Sequence, residues 1–214
     1  MINTVIFDIG RVLIGFEWKD YVHKLFNDPE TEEAVTRATF GSGIWNEMDR
    51  GVDENEIFRR FCEKEPGRVE EIRLAFDRVG ECTERKDYAI PWIEELKADG
   101  YRVLYLSNYS NHVMRLSRHA LDFLPHMDGG IFSCDVYSVK PERKIYDCLI
   151  GKYDLNPAEC VFIDDNPKNI RAAEEIGIKG IPFESYEQAH GELMSLLDAY
   201  NRTARQTADG TDNK

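Results

Sequence analysis

The stretch TVIFD, from Thr4 to Asp8, is a short apolar run rich in β-branched residues that ends in an acid. Such a run predicts a buried strand, because strands that are covered on both faces read as continuous apolar sequence. A carboxylate at the end of that strand lies next to the edge of the core, where its charge is unfavourable unless another group compensates it. The sequence therefore predicts a compensating group close to Asp8.

Two later apolar runs also end in polar residues. Val103–Leu106 is followed by Ser107-Asn108, and Val161–Ile163 is followed by Asp164-Asp165. A single Asp at a strand end is often just the N-cap of the next helix. In an open parallel sheet, however, ligands bind beyond the carboxyl ends of the strands. Carboxylates that converge there would repel one another, and a divalent cation would offset that repulsion. A site made only of oxygen ligands suits Mg²⁺.

The rest of the chain divides into two regions of different character. From Pro91 onward, short apolar strands alternate with helical patterns, which predicts a parallel sheet covered by helices. Residues 16–85 instead carry apolar residues at helical spacing, and we expect helices and no strand there. The expected fold is α/β, with a Rossmann-like, doubly wound parallel sheet. Residues 1–15 and 86–200 would form this core domain, and residues 201–214 a disordered tail.

The composition limits the classes of partner. The chain has 27 Lys+Arg and 40 Asp+Glu, a formal charge of −13 at pH 7. We expect no nucleic acid as a partner, because phosphate backbones require clustered cations, and no binding to an anionic membrane surface. A small phosphorylated ligand remains compatible, since a few cations, backbone N–H groups and a metal can bind it. A hydrophobic fraction of 42% is sufficient for a real core.

The cysteines and the first residues favour a cytoplasmic location. The five cysteines are odd in number and none has CxxC spacing, so we expect neither a disulfide framework nor a structural zinc site. Asp8 interrupts the first apolar run and no basic residue precedes it, so a signal peptide is not expected. No apolar stretch approaches the roughly 18 residues of a membrane span. The expected state is a monomer or a weak homodimer.

Four segments together resemble the motifs of the haloacid dehalogenase (HAD) superfamily, in the branch with an α-helical cap domain inserted after the first strand. In chain order they are Phe7–Leu13, Leu106–Asn108, Val139–Pro141 and Ile163–Pro167. Each motif alone is weak, but four in order, with a helical insertion in the expected place, are specific. The resemblance covers about residues 2–190. It implies a Mg²⁺-dependent phosphomonoester hydrolase that acts on a small phosphorylated metabolite through an aspartyl-phosphate intermediate.

The resemblance also implies roles for the motif residues. Asp8 would be the nucleophile that attacks phosphorus. Ser107 would donate its hydroxyl to a phosphate oxygen, with Asn108 beside it. Lys140 would be the cation that holds both the nucleophile and the phosphate.

The metal ligands follow from the same resemblance. Mg²⁺ would be bound by Asp8, by the backbone carbonyl of Gly10 and by the acids Asp164 and Asp165. One of those two acids would bind directly and the other through water, and we favour Asp165 as the direct ligand. The metal would neutralise charge so that one anion can approach another.

Gly10 departs from the usual family pattern. A second Asp normally stands two residues after the nucleophile and acts as general acid and base, which is worth about 10²–10⁴ in rate. Three interpretations stay open: a substrate whose leaving oxygen needs little help, a cap residue that replaces the acid, or slow or absent catalysis. The first matches a subgroup with Gly at this position that resembles sugar 1-phosphate phosphatases. Glu17, near the hinge, is one candidate substitute for the acid.

In the family, the cap closes over the phosphate site and sets substrate choice. Within Ile44–Gly51, Trp45 would stack on a sugar face, and Asp49 or Arg50 would bind hydroxyl groups. The simpler interpretation is that Trp45 packs inside the cap and that the following residues only end a helix.

Other functions on the same fold make different demands on these residues. A 2-haloacid dehalogenase attacks carbon and does not need a metal-binding acid pair, so Asp164 and Asp165 argue against it. A phosphomutase must move protons on sugar hydroxyls, and Gly10 argues against that. A weakly active or non-catalytic protein that binds phosphorylated metabolites is compatible with Gly10.

Overall fold

The computed structural model describes the backbone of residues 1–209 and the side chains of residues 1–200. Its centre is a five-stranded parallel sheet with the order β5-β4-β1-β6-β7, and β2 and β3 form a separate antiparallel pair. The seven strands are β1 (Thr4–Phe7), β2 (Ile14–Phe16), β3 (Thr83–Arg85), β4 (Arg102–Ser107), β5 (Gly129–Phe132), β6 (Cys160–Asp164) and β7 (Lys179–Pro182). The predicted α/β fold is confirmed.

The described residues also form eleven α-helices. They are α1 (Trp18–Phe26), α2 (Pro29–Ala38), α3 (Ile44–Asp49), α4 (Glu54–Lys64), α5 (Val69–Asp77), α6 (Ala89–Ala98), α7 (Asn111–Leu116), α8 (Ser133–Val136), α9 (Arg143–Tyr153), α10 (Pro167–Glu174) and α11 (Tyr186–Asp209). None of these helices, within residues 1–209, combines the length and the apolar character that crossing a membrane requires.

Helices cover both faces of the sheet because successive side chains of each strand point to opposite faces. In β1, Phe7 is fully buried and makes an edge contact with Trp92 of α6, with ring centroids 4.7 Å apart. Ile6 is equally buried but belongs to a second core cluster, with Tyr146 of α9 and Ile170 of α10. The run of buried residues that opens the chain is therefore the central strand of a doubly wound sheet.

Helices α1–α5 form a helical segment, residues 18–82, which is inserted between β2 and β3. The antiparallel pairing places Ile14 opposite Arg85 and Phe16 opposite Thr83, so this segment leaves and rejoins the sheet domain through one two-stranded stem. Strand β3 corrects the expectation of no strand in residues 16–85. Its three residues, Thr-Glu-Arg, are too short and too polar to show the alternation that reveals a strand.

The C-terminal helix differs from the sequence-based expectation. Residues 201–209 continue α11, whereas a disordered tail was predicted from residue 201. Once a helix has formed, each further residue adds a hydrogen bond at small entropic cost, and Ala204, Arg205 and Gln206 are good helix formers. The expectation for residues 210–214 lies outside the described residues.

The register of the sheet brings the motif residues together. Strand β1 lies between β4 and β6, with Phe7 opposite Tyr105 and Ile163. Because all five strands are parallel, the residues that follow these positions emerge at one edge, among them Asp8, Ser107 and Asp164.

Candidate active site

Lys140 connects two of the strand-end acids. Its Nζ lies 2.8 Å from Oδ1 of Asp8 and 2.7 Å from Oδ2 of Asp164. The Lys140 side chain is 1% exposed, so this is a buried arrangement of one cation and two carboxylates. The family resemblance implied this contact between Lys140 and the predicted nucleophile.

Asn108 holds the Lys140 backbone in place. The Lys140 N–H donates to Oδ1 of Asn108 at 2.7 Å, and the Asn108 amide donates to the Lys140 carbonyl at 3.1 Å. This pair of bonds fixes a loop with no regular structure of its own at the end of β4. A lysine on a loop can therefore be placed beside Asp8 with the accuracy that a catalytic site requires.

Burial and charge act against each other at this site. Burial, the largest effect, raises the pKa of Asp8 to about 6, while the charge of Lys140 and hydrogen bonds from Lys140 and Ser107 oppose the rise. Burial alone would lower the pKa of Lys140, but the carboxylates of Asp8 and Asp164 raise it above its ordinary value. Around neutral pH, Asp8 is thus an ionised carboxylate beside a protonated lysine.

Hydrogen bonds to both carboxylate oxygens hold Asp164 in place. Its Oδ1 accepts from the backbone N–H of Asn166 at 2.8 Å, and the Asn169 amide donates to both carboxylate oxygens at 3.0 Å. Together with the bond from Lys140, these contacts occupy both oxygens of a carboxylate that is fully buried. Asp164 therefore orients Lys140 from behind the site. Sequence reasoning missed Asn169; its only sequence signal is its position early in the helix that follows the acid pair.

Asp165 is the acid that faces the open part of the site. Burial and the charge of Asp164 raise its pKa, and Nη1 of Arg11 lies 3.7 Å from its Oδ2. Carboxylate oxygens of Asp8, Asp164 and Asp165 lie within 4.8 Å of one another. A set of oxygen donors at this spacing fits a divalent cation such as Mg²⁺.

A cavity of about 440 Å³ opens above these residues. The predicted site residues that line it are Asp8, Gly10, Trp45, Ser107, Asn108, Lys140 and Asp165. The helical segment contributes Trp45 and Asp49, and the stem contributes Phe16. The volume is within the range of small-molecule sites, about 300–1,000 Å³.

The family model for haloacid dehalogenase-like hydrolases matches residues 2–177. The chain belongs to this family. Flavin mononucleotide hydrolase 1 of Arabidopsis thaliana is 26% identical over 159 residues, which are 72% of this chain and 62% of that protein. D-ribitol-5-phosphate phosphatase of Bacteroides thetaiotaomicron is 26% identical over 93% of this chain and its own full length.

A HAD family enzyme of Bacteroides thetaiotaomicron, solved in complex with magnesium and inorganic phosphate, has the same fold. It superimposes with a TM-score of 0.67 at 20% identity and covers 87% of this chain and 96% of its own.

Three predicted residues of this hydrolase do not line the cavity: Asp164, which is buried behind it, Arg50 and Glu17. Arg50 forms a two-point ion pair with Glu142, with Nη1 2.9 Å from Oε2, and the hydrogen bond from Arg50 lowers the pKa of Glu142 to about 2. Glu17 lines a separate cavity, which it shares with Asp20 and Arg78. Arg50 thus connects the helical segment to the sheet domain through this ion pair. Glu17 lies away from the site.

Trp45 packs inside the helical segment, as the simpler interpretation predicts, and it also has a surface on the cavity. Its ring lies 4.8 Å from that of Phe40 and 6.1 Å from that of Phe16, so it packs within an aromatic cluster. It also lines the cavity. The apolar wall of the site is therefore continuous with the core of the helical segment.

Arg11 and Asp49 line the cavity as well. Arg11 was quoted only as part of a motif, and it has a positive φ of 61° in the turn after Gly10. For Asp49 the sequence suggests either the binding of substrate hydroxyls or the end of a helix, and the structure places it, 9% exposed, in the cavity of the predicted nucleophile.

Proposed function

We propose that this hydrolase is a Mg²⁺-dependent phosphomonoester hydrolase that acts on small phosphorylated metabolites through an aspartyl-phosphate. The observation that carries the proposal is the contact of Lys140 with Asp8 at the wall of a cavity that also presents Ser107 and Asp165. The two relatives described above, by their names, hydrolyse flavin mononucleotide and D-ribitol 5-phosphate, both of which are phosphate esters.

Asp8 is the proposed nucleophile. Its Oδ1 accepts from Lys140 Nζ and, at 2.7 Å, from the backbone N–H of Ile9, so one oxygen is held by two donors. We assign the attack on phosphorus to the other oxygen, Oδ2. The attack breaks the ester bond and leaves the phosphoryl group on Asp8, which divides one difficult hydrolysis into two easier steps.

The phosphoryl group would bind between Lys140 and Ser107. Both line the cavity beside Asp8, and a cation and a hydroxyl donor suit phosphate oxygens. Asp8, Asp165 and the carbonyl of Gly10 would hold Mg²⁺, with Asp164 behind them. When bound, the metal would neutralise charge on the phosphoryl oxygens.

We assign residues 16–85 to a cap domain and residues 1–15 and 86–200 to a core domain. The aromatic wall formed by Phe16 and Trp45 would exclude water from the bound ester and contact the carbon skeleton of the substrate. A cavity of this size and mixed polarity suits a sugar or polyol phosphate, including sugar 1-phosphates and primary esters such as ribitol 5-phosphate.

The test is release of inorganic phosphate from p-nitrophenyl phosphate, sugar 1-phosphates, sugar 6-phosphates and ribitol 5-phosphate. Each is assayed with Mg²⁺ and with EDTA, for the wild type, for Asp8→Asn and for Asp99→Asn, an exposed Asp of the sheet domain. We expect release that requires Mg²⁺, is lost in Asp8→Asn although that variant still unfolds cooperatively, and is normal in Asp99→Asn.

Two outcomes would contradict the proposal. No release from any substrate would favour a protein that only binds phosphorylated metabolites. Chloride release from 2-chloropropionate that persists in EDTA, without phosphatase activity, would favour a haloacid dehalogenase.

A further inference from the structure

Asp49 is a buried carboxylate without a partner. It is 9% exposed, and among residues 1–200 no hydrogen bond or ion pair reaches its side-chain oxygens, which are not completely enclosed by protein. An isolated buried carboxylate is unfavourable unless it is protonated or a ligand satisfies it. Its position on the cavity wall, together with Asp8 and Gly10, places this unsatisfied group where the substrate would lie.

The end of helix α3 is anchored, so the backbone from which the Asp49 side chain extends is held in place. The Asp49 carbonyl accepts from Ser133 Oγ at 2.6 Å, and the same Oγ accepts from the backbone N–H of Tyr109 at 2.9 Å. The next residue, Arg50, is paired with Glu142. Both anchors belong to the sheet domain, so Asp49 is held against the core even though it belongs to the helical segment.

Gly51 contributes to the same anchoring. Its φ is +89°, and a Cβ at this position would come within 3.0 Å of the Cys134 carbonyl. Glycine therefore allows the chain to turn away from the core directly after Asp49 and Arg50.

Asp49 differs from Asp8 in its surroundings. Burial, the larger effect, and the charge of Asp8 raise the pKa of Asp49 to about 7, and no cation offsets them. Asp8, by contrast, has Lys140 beside it. A carboxylate that lines the same cavity as the nucleophile and has no cation beside it is suited to carry a proton to the leaving group.

We propose that Asp49 is the general acid and base of this hydrolase and replaces the carboxylate that the chain lacks at Gly10. The inference rests on the proposed phosphatase function. The other cap candidates are engaged elsewhere, since Arg50 is paired with Glu142 and Glu17 lines a different cavity.

The reaction has two steps. In the first, Asp8 bonds to phosphorus, the bond from phosphorus to the leaving oxygen breaks, and that oxygen takes the proton of Asp49. In the second, the oxygen of a water bonds to phosphorus and Asp49 takes one of its protons. The bond between Asp8 and phosphorus then breaks, which releases hydrogen phosphate and regenerates both residues. With this donor, esters of ordinary alcohols become substrates.

The experiment compares two leaving groups in Asp49→Asn. p-Nitrophenolate leaves without a proton, whereas the alcohol of ribitol 5-phosphate requires one. We expect kcat/KM for ribitol 5-phosphate to fall by about 10²–10⁴-fold, and kcat/KM for p-nitrophenyl phosphate to stay within about threefold of wild type. Because the second step still lacks its base, p-nitrophenolate should appear in a burst equivalent to the enzyme present, followed by slow turnover.

The controls separate this role from a structural one. Asp77→Asn, an exposed Asp of the helical segment, should leave both substrates unchanged. A Cβ at Gly10 meets no atom within 4 Å, so Gly10→Asp can be introduced into Asp49→Asn. The double variant should regain activity on ribitol 5-phosphate, which a purely structural role of Asp49 would not allow.

Three results would overturn the inference or its basis. Equal losses on both substrates, or no loss on either, would exclude Asp49 as the proton donor. A wild-type enzyme that hydrolyses only p-nitrophenyl phosphate would show that no acid is supplied. A wild-type enzyme that releases phosphate from no substrate of the panel described above would instead refute the proposed phosphatase function itself.

Discussion

Replacing Lys140 with Met removes the ammonium group between Asp8 and Asp164 and keeps most of the apolar stem. The side chain is 1% exposed, so water cannot take the place of the lost charge without rearrangement of the site. Removing one partner of a buried ion pair typically costs about 3–5 kcal/mol. In a chain of this length each kcal/mol lowers Tm by about 2–4 °C, so we expect a fall of roughly 6–20 °C.

The loss should depend on pH in a defined direction. Burial already raises the pKa of Asp8 to about 6 with Lys140 present, and without that cation it must rise further. A carboxyl whose pKa is higher in the folded state binds protons that the unfolded state releases, so the folded state loses stability as pH rises. The fall in Tm caused by Lys140→Met should therefore be large at pH 8 and small at pH 5.

The measurement is thermal unfolding in EDTA at both pH values. Lys168→Met, which changes an exposed lysine close to the site in sequence, is the matched control and should melt like the wild type. Adding Asp8→Asn to Lys140→Met should restore part of the Tm, because only one of the two carboxylates then remains. A Lys140→Met protein that melts within about 2 °C of wild type at pH 8 would refute the idea that this lysine compensates buried charge.

Three further changes have defined outcomes. Asp49→Asn should raise Tm at pH 8 and have little effect at pH 4. The reason is that the wild-type carboxyl, with a pKa of about 7, must ionise without a partner as pH rises. An equal effect at both pH values would contradict this. Mg²⁺ should raise the Tm of the wild type but not of Asp165→Asn, as a ligand that binds only the folded state does. Glu142→Gln breaks the ion pair with Arg50, in which each side chain is about 40% exposed, so it should lower the free energy of unfolding by less than about 1 kcal/mol. It should nevertheless lower kcat/KM for ribitol 5-phosphate more than kcat/KM for p-nitrophenyl phosphate.

The sheet and its acidic edge could be predicted because they depend on local signals. Thr4–Phe7 and Cys160–Asp164 are buried along their whole length, and a strand of that kind is visible as an unbroken apolar run. Since neighbouring strands run parallel, the acids that follow them must meet at one edge. Lys140 has no such signal, because its place depends on two hydrogen bonds to the distant Asn108. Only the family resemblance indicated its role.

The cap residues show the limit of reading a helix without its neighbours. Asp49 and Arg50 are adjacent in sequence and equally polar, yet successive positions at a helix end differ in direction by about 100°. One side chain lines the cavity, and the other binds Glu142. Which one faces the substrate depends on how the helical segment docks on the sheet domain, and no sequence pattern in that segment encodes the docking.

Because Gly10 supplies no acid, the way in which the helical segment docks on the sheet domain affects catalysis. If Asp49 supplies the proton, the nucleophile belongs to the core domain and the acid to the cap, and they share a cavity only while the cap is seated on Ser133 and Glu142. Catalysis on alcohol esters would then require a closed cap, whereas esters with a good leaving group would not. Glu142→Gln tests this coupling. Because the Glu142 carboxylate also accepts from Ser138 Oγ and from the backbone N–H of Val139, in the loop that carries Lys140, equal losses on both substrates would indicate disturbance of that loop and would contradict the coupling of cap seating to proton donation.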